Sequence, residues 1–252
     1  MNETPLQLLD APIVEAVLDI DCDMPLTMDI AALEESARAE YGEQYPKFQP
    51  QFMQELMFEA PAEGAAKVTK SSRGIQALQF LQEDGKQLVQ VRAQGYSFNR
   101  LAPYGSLDDY LPEMERTWQL FTKIAQPVKI RTVRLRYINR LLLPLVAGRI
   151  ELDEYLVHGP RLPSDAGLEL TSFVHQHSAV EVGTGNQAHL VLAGQAPEQE
   201  KLPVIFDIQT FYTGDLEPSD WKGILSRVKS LRHLKNQVFR KSLTKKCLSL
   251  FQ

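Results

Sequence analysis

A run bounded by two prolines, Pro127 to Pro144 (PVKIRTVRLRYINRLLLP), constrains the fold more than any other part of the chain. Within it Val133, Leu135 and Tyr137 alternate with Arg134, Arg136 and Ile138, so one side is apolar and the other carries guanidinium groups. That period of two is the mark of a half-buried strand. The run sits at the midpoint of the sequence, between two stretches that look alike, and therefore reads as the first strand of a second half.

The 252 residues suffice to bury roughly 70–75% of the surface that the unfolded chain exposes, so the fold needs no covalent staples. Cys22 and Cys247 stand near opposite ends without CxxC or Cys/His spacing. Neither a disulfide framework nor a structural zinc site is indicated, and reduced thiols of a cytoplasmic protein are expected. The start, MNETPLQLLDAPIVEAV, has no basic segment followed by a long apolar run, so neither secretion nor membrane insertion is expected. The net charge of −5 hides an uneven distribution: residues 221–252 carry nine Lys or Arg and no acid, leaving −14 on the rest against +9 on this tail. Such a contrast points to partners.

Read in order, residues 11–21 form a strand with Val14, Ala16, Leu18 and Ile20 on its apolar side and Glu15 and Asp19 on its open side. Thr27 or Asp29 caps a helix that carries Ile30, Leu33, Ala37 and Tyr41 at helical spacing and stops at Gly42. Four antiparallel strands follow, at 48–60, 66–71, 74–82 and 87–99. They are separated by turns at Pro61–Gly64, Ser71–Gly74 and Glu83–Gly85, the last with an Asp-Gly hairpin signal. Ser106 opens a helix with Leu107, Tyr110, Leu111, Met114, Trp118 and Phe121 on one stripe, ending at Pro127. The second half gives strands at 128–142, 168–182, 187–194 and 202–213, an irregular piece at 151–157, and a helix from Pro218 or Asp220 to about Lys235 with a last helical piece beyond.

Each half thus reads strand, helix or irregular piece, several antiparallel strands, long helix. The expected class is α+β: two halves resembling the helix-grip or TATA-binding-protein-like layout, each a curved antiparallel sheet with a long C-terminal helix. The boundaries are 1–126 (β-α-β4-α) and 127–252 (β-(α)-β3-α), packed as one globular unit. No βαβ alternation and no GxGxxG or GxxxxGK[ST] loop suggests a nucleotide fold.

Few residues carry a chemical signal. His175 and His177 lie two apart on a strand, with His189 on the next, and could share a metal; no acidic or cysteine ligand stands at a telling spacing, so no metal and no cofactor are expected. GxSxG is absent and neither cysteine has a partner in sequence, so no catalytic residue is assigned. Asp108-Asp109 and Glu34-Glu35 fall on helix faces where solvation explains them. Arg134 and Arg136, with Lys129, Arg131 and Arg140 nearby, suit bidentate contact with carboxylate or phosphate. Internal pairing with Glu15 and Asp19 is favoured if the opening strands of the two halves are adjacent. In the tail, Lys222, Arg227, Lys229, Arg232, Lys235, Arg240 and Lys241 form a basic surface opposite the apolar stripe Ile224, Leu225, Val228, Leu231, Leu234 and Val238. Such a helix meets nucleic acid, anionic lipid or an acidic protein, or else packs as the grip helix with its cations matched to the acidic body.

Several stretches together, APIVEAVLDI, QLVQVRAQGYSFNRLAPYGSLDDY, RLRYINRL, FDIQTFY and FRKSLT, resemble a sporadically distributed, uncharacterised prokaryotic protein family of similar length. The resemblance covers nearly the whole chain and rests on the order of the pieces, with Pro12, Ile13, Glu15, Asn99, Tyr104, Arg136, Tyr137, Asn139 and Asp207 on its pattern. It implies no activity, and its patchy distribution implies a mobile or defence-associated setting. Arg136 and Asn139 fall on opposite strand faces, so part of the pattern is structural.

The expected function is a non-enzymatic protein-binding module, with Arg134, Arg136, Asn139, Glu15, Asn99 and Tyr104 as ligand- or partner-binding residues. One alternative is a small-ligand or enzyme pocket in the concave sheet face; another is nucleic-acid binding through the basic C-terminal helix. A protein partner ranks ahead of nucleic acid, no membrane contact is expected, and a homo-oligomer stays open.

Overall fold

Alternation decides the middle of the molecule. In the computed structural model, which describes residues 8, 10–59, 67–162, 167–168 and 170–252, the proline-bounded run forms a strand over Lys129–Pro144. Val133, Leu135, Tyr137, Asn139, Leu141 and Leu143 are buried, while Arg134, Arg136, Ile138 and Arg140 on the opposite side are half-buried.

The elements are β1 (Ile13–Asp23), α1 (Glu34–Tyr41), β2 (Lys47–Glu59), β3 (Lys67–Leu81), β4 (Gln87–Arg92), β5 (Gly95–Leu101) and α2 (Leu107–Ala125). They continue with β6 (Lys129–Pro144), β7 (Val174–Val180), β8 (Gln187–Gly194), β9 (Lys201–Leu216), α3 (Trp221–Ser242) and α4 (Lys245–Leu248). The chain is α+β, and among the described residues the strands form one nine-stranded sheet of order β2-β3-β4-β5-β1-β6-β9-β8-β7 in which every neighbouring pair is antiparallel. β1 and β6 are adjacent, with Leu18 opposite Leu135 and Asp19 opposite Arg134. On its other edge β1 pairs with β5, and β6 pairs with β9.

Among the described residues the helices pack on one side of this sheet. Leu18, Ile20, Phe80, Val91, Phe98 and Leu135 form a core with Tyr41 of α1, Trp118 and Phe121 of α2, and Ile224, Val228 and Leu231 of α3. Leu141, Leu192, Val204, Phe206 and Ile208 form a second core under Leu234 and Phe239 of α3, closed by Leu243 and Cys247. α3 therefore bridges both cores. Each large apolar side chain so buried contributes roughly 1.5–3 kcal/mol. Polar ties fix the helices in place: Trp118 Nε1 donates to the Pro218 carbonyl at 3.0 Å, and Tyr41 Oη donates to the Thr117 carbonyl at 2.8 Å. Ser106 caps α2 and forms a reciprocal capping box with Asp109.

Several sequence boundaries need correction. The segments expected as separate strands at 66–71 and 74–82 join in one strand, β3, and the expected turn at Ser71–Gly74 lies inside it. The partner strand β2 is long enough to hold β3 extended throughout, with Gly74 opposite Met53. The expected turn at Pro61–Gly64 lies outside the described residues. Conversely, the strand expected at 87–99 is two strands, broken at Ala93–Gln94. There Gly95 takes φ +145°, and a Cβ on it would stand 2.1 Å from the Ile20 carbonyl oxygen, so only glycine fits. The Gln94 carbonyl accepts from the Cys22 amide at 2.8 Å, locking the hairpin to β1. Among the described residues of the expected strand 168–182, β7 covers 174–180, and α3 runs on to Ser242, beyond the expected end near Lys235.

Candidate functional site on the uncovered sheet face

No described helix lies over the other side of the sheet, where the candidate residues of β1, β5 and β6 meet. One register row crosses all nine strands: Val180, Gln187, Phe211, Arg134, Asp19, Ser97, Gln90, Gln79 and Gln49 stand side by side. Because cross-strand neighbours on one face are in contact range, their charges and amides read one another directly.

The centre of the face is a set of ion pairs. Arg136 of β6 grips Asp207 of β9 through Nε, 3.0 Å from each carboxylate oxygen, and through Nη2, 2.7 Å from Oδ2. Asp207 is buried and its partner is 40% exposed at the side chain, so the guanidinium shields the carboxylate from water. Arg134 lies 3.8 Å from Asp19 and 3.5 Å from Asp21 of β1. Asp21 also accepts from Arg92 of β4 at 2.7 Å, and Asp19 accepts from Ser97 of β5. An acidic row on β1 is thus clamped between arginines on both sides.

From the other direction an amide relay arrives. Gln49 donates to Gln79 at 2.7 Å, Gln79 to Gln90 at 3.0 Å, Gln90 to Asn99 at 3.1 Å and Asn99 to the Glu15 carboxylate at 2.7 Å. This chain crosses five strands from β2 to β1 and ends on a charge, which polarises every link in the same sense. Ser97 and Asn99 are buried although no described helix covers them, because these neighbours lie across them.

Glu15, Asn99, Arg134 and Arg136 therefore gather on the uncovered face. The internal pairing expected for the arginines is present in a modified form: Arg134 does meet Asp19, but the partner that grips Arg136 is Asp207. Tyr104 and Asn139 do not join them. Asn139 lies on the helix side of β6 and donates to the Phe206 carbonyl at 2.9 Å. Tyr104 Oη is 3.1 Å from Tyr137 Oη, also on the helix side. Burial pushes the Tyr104 phenol well above its usual range.

The basic tail divides. Arg227 lies 3.9 Å over the Tyr212 ring, Arg232 grips Asp108 with 2.8 Å to each oxygen, and Lys235 Nζ sits 4.0 Å over the Tyr137 ring. Burial, helped by nearby Arg232, pulls the Lys235 amine down to about 7. Lys222, Lys229 and Lys241 are exposed, and Arg240 is half-buried.

His175 and His177 lie on the helix side of β7, opposite Leu192 and Leu190, whereas His189 lies on the uncovered face and bonds Ser178 at 2.9 Å. The three-histidine arrangement with His189 does not form, because its register position puts it through the sheet. The imidazole nearest the pair on their own side is that of His158, whose ring centroid is 6.4 Å from that of His177. Among the described residues no group of three His, Cys, Asp or Glu is arranged to hold a metal ion. A cleft of about 710 Å³ opens between residues 145–153, 160–162, 167–168, 170–173 and 194–202, away from the face centre.

Sequence reading missed the grip of Asp207 on Arg136, the clamp by Arg92 and the glutamine relay. Gln49 has Gln51 two residues away, whereas Gln79 and Gln90 have Gln76 and Gln87 three residues before them, so no common spacing marks the relay and only the strand register reveals that Gln49, Gln79 and Gln90 align. No described helix is long and apolar enough to cross a membrane. No protein-family model and no curated protein matches the chain.

Proposed function

We propose that the protein is a non-enzymatic protein-binding module whose docking surface is the centre of the uncovered sheet face. The observation that carries this reading is that the central charges there are already engaged with one another. Asp207, Asp19, Asp21 and Glu15 each have a fixed donor, so a partner meets a preformed pattern and little side-chain freedom is lost on binding. Half-buried Val191 and Ile138 flank Asp207 in the register, and Ile205 lies two residues before it. Half-buried apolar side chains beside a paired arginine offer contact area of the kind that protein-binding surfaces use.

The two-half, TATA-binding-protein-like arrangement belongs to the same proposal. It is supported by the strand order, since β1 and β6 meet at the middle and each pairs outward with the last strand before a long helix, β5 before α2 and β9 before α3. Membership of the sporadic prokaryotic family, with its mobile or defence-associated setting, is likewise proposed. Four residues of its pattern, Glu15, Asn99, Arg136 and Asp207, come together on this face. A cytoplasmic location goes with it, in keeping with two free cysteines whose thiols burial pushes up to about 12.

A photo-reactive residue placed at Gln209, beside Arg136 in the register, tests the docking surface in the native host. Capture of one discrete protein at Gln209 and none at Lys229 is the expected result. Capture only at Lys229 would overturn the reading. Nucleic-acid binding is the second reading, favoured by exposed Lys222 and Lys229, which stand two turns apart on α3. It predicts retention on a polyanion column that falls steeply with salt.

A further inference from the structure

β7 is one edge of the sheet, and among the described residues nothing pairs with its outer side. Its sequence, Val174–Val180 (VHQHSAV), holds no Lys, Arg, Asp, Glu or Pro, so it lacks the devices that normally blunt an open edge. Val174 is 71% exposed and Val180 63%. The backbone hydrogen bonds fix which groups face outward. The Glu181 amide donates to the Asn186 carbonyl, and the Gly194 amide to the Phe173 carbonyl, so the odd-numbered residues of β7 bond β8. The amides and carbonyls of Val174, Gln176, Ser178 and Val180 then point away from the sheet.

We infer that β7 pairs antiparallel with β7 of a second copy of this chain about a two-fold axis at His177, joining two nine-stranded sheets into one with both uncovered faces on the same side. The strand's own sequence selects this occupant. Antiparallel pairing must set outward-facing residues against outward-facing residues, and the axis at His177 does so along the whole strand. Val174 then meets the partner copy's position 180 and Gln176 its position 178, apolar on apolar and amide on hydroxyl. An uncharged strand meets an uncharged strand, so no charge is stripped of water. Such isologous contact closes at two copies.

The axis also brings His177 of each copy face to face, in a pair whose side chains approach most closely. His175 stands on the same strand, with ring centroids 5.1 Å apart, and His158 and Arg161 line the cleft beside them, Arg161 being 3.5 Å from Asp153. Burial, and then the neighbouring imidazoles of His175 and His158, hold His177 below its ordinary range, so it enters the pair uncharged near neutrality. Below the imidazole range the facing rings carry like charges and the pair separates.

Sedimentation of the full chain over a concentration series tests this. A concentration-dependent dimer at neutral pH is expected. Gln176→Lys with Ser178→Lys, both exposed positions, sets like charges opposite one another in this register and weakens the dimer at least about tenfold. Mixing that variant with Gln176→Glu, Ser178→Glu restores a heterodimer, because the same register then sets Lys against Glu. Acidifying through and below the imidazole range dissociates the wild type. A monomer throughout, a dimer indifferent to the lysines, or a strand edge that accepts only a peptide of another sequence would overturn the proposal.

Discussion

Arg136 and Asp207 show how a single pair can be structural and outward-facing at once. Asp207 is 11% exposed at its side chain, and the Arg136 guanidinium forks onto it. Arg136→Met leaves a buried carboxylate without its donor and is expected to cost about 1–3 kcal/mol in urea unfolding. Adding Asp207→Leu should return most of that loss, because removing both partners of a buried pair is far milder than removing one. On the other side of the sheet Lys235 behaves in the opposite sense. The folded chain holds its ammonium less readily than the unfolded chain does, so from about 7 up to the ordinary lysine range the unfolded state binds more protons. Stability from this residue therefore rises with pH across that window and is flat below it. Lys235→Met should remove this rise, seen as a shallower gain in melting temperature between neutral and alkaline pH.

At the scale of elements, α2 depends on its start. Ser106 accepts from the Asp108 amide at 3.3 Å, and Asp109 returns a bond to the Ser106 amide at 2.8 Å. Ser106→Ala is expected to cost about 1 kcal/mol in the same unfolding measurement. This helix was legible in advance, since Ser106, the stripe through Trp118 and the stop before Pro127 are all local signals. β6 was legible for the same reason, its alternation spanning the whole strand. The pieces that were not legible depend on distant partners. Ser71–Gly74 carries turn-forming residues yet stays extended because β2 runs alongside it, and Ala93–Gln94 turns without an Asn-Gly or Asp-Gly signal because Gly95 must pass against the Ile20 carbonyl. The end of α3 was misplaced because its last turns pack Phe239 on Phe206, a contact that spacing within the helix does not reveal.

At the scale of the whole molecule, the sheet separates two kinds of work. The helix side holds both apolar cores, and the other side holds a lattice of arginines, carboxylates and amides with half-buried Ile138, Val191 and Ile205 beside Asp207. The sequence revealed that Arg136 and Asn139 point opposite ways and that Arg134 finds an acid on β1. It could not show that Asp207, 71 residues further along the chain, closes the lattice from β9. The central claim is that this face receives a protein. Native mass spectrometry of untagged protein purified from its host, wild type beside Val191→Glu with Ile205→Glu, tests it most directly. A stoichiometric second protein on the wild type, lost from the folded variant, is the predicted result; a partner retained equally by both would contradict it.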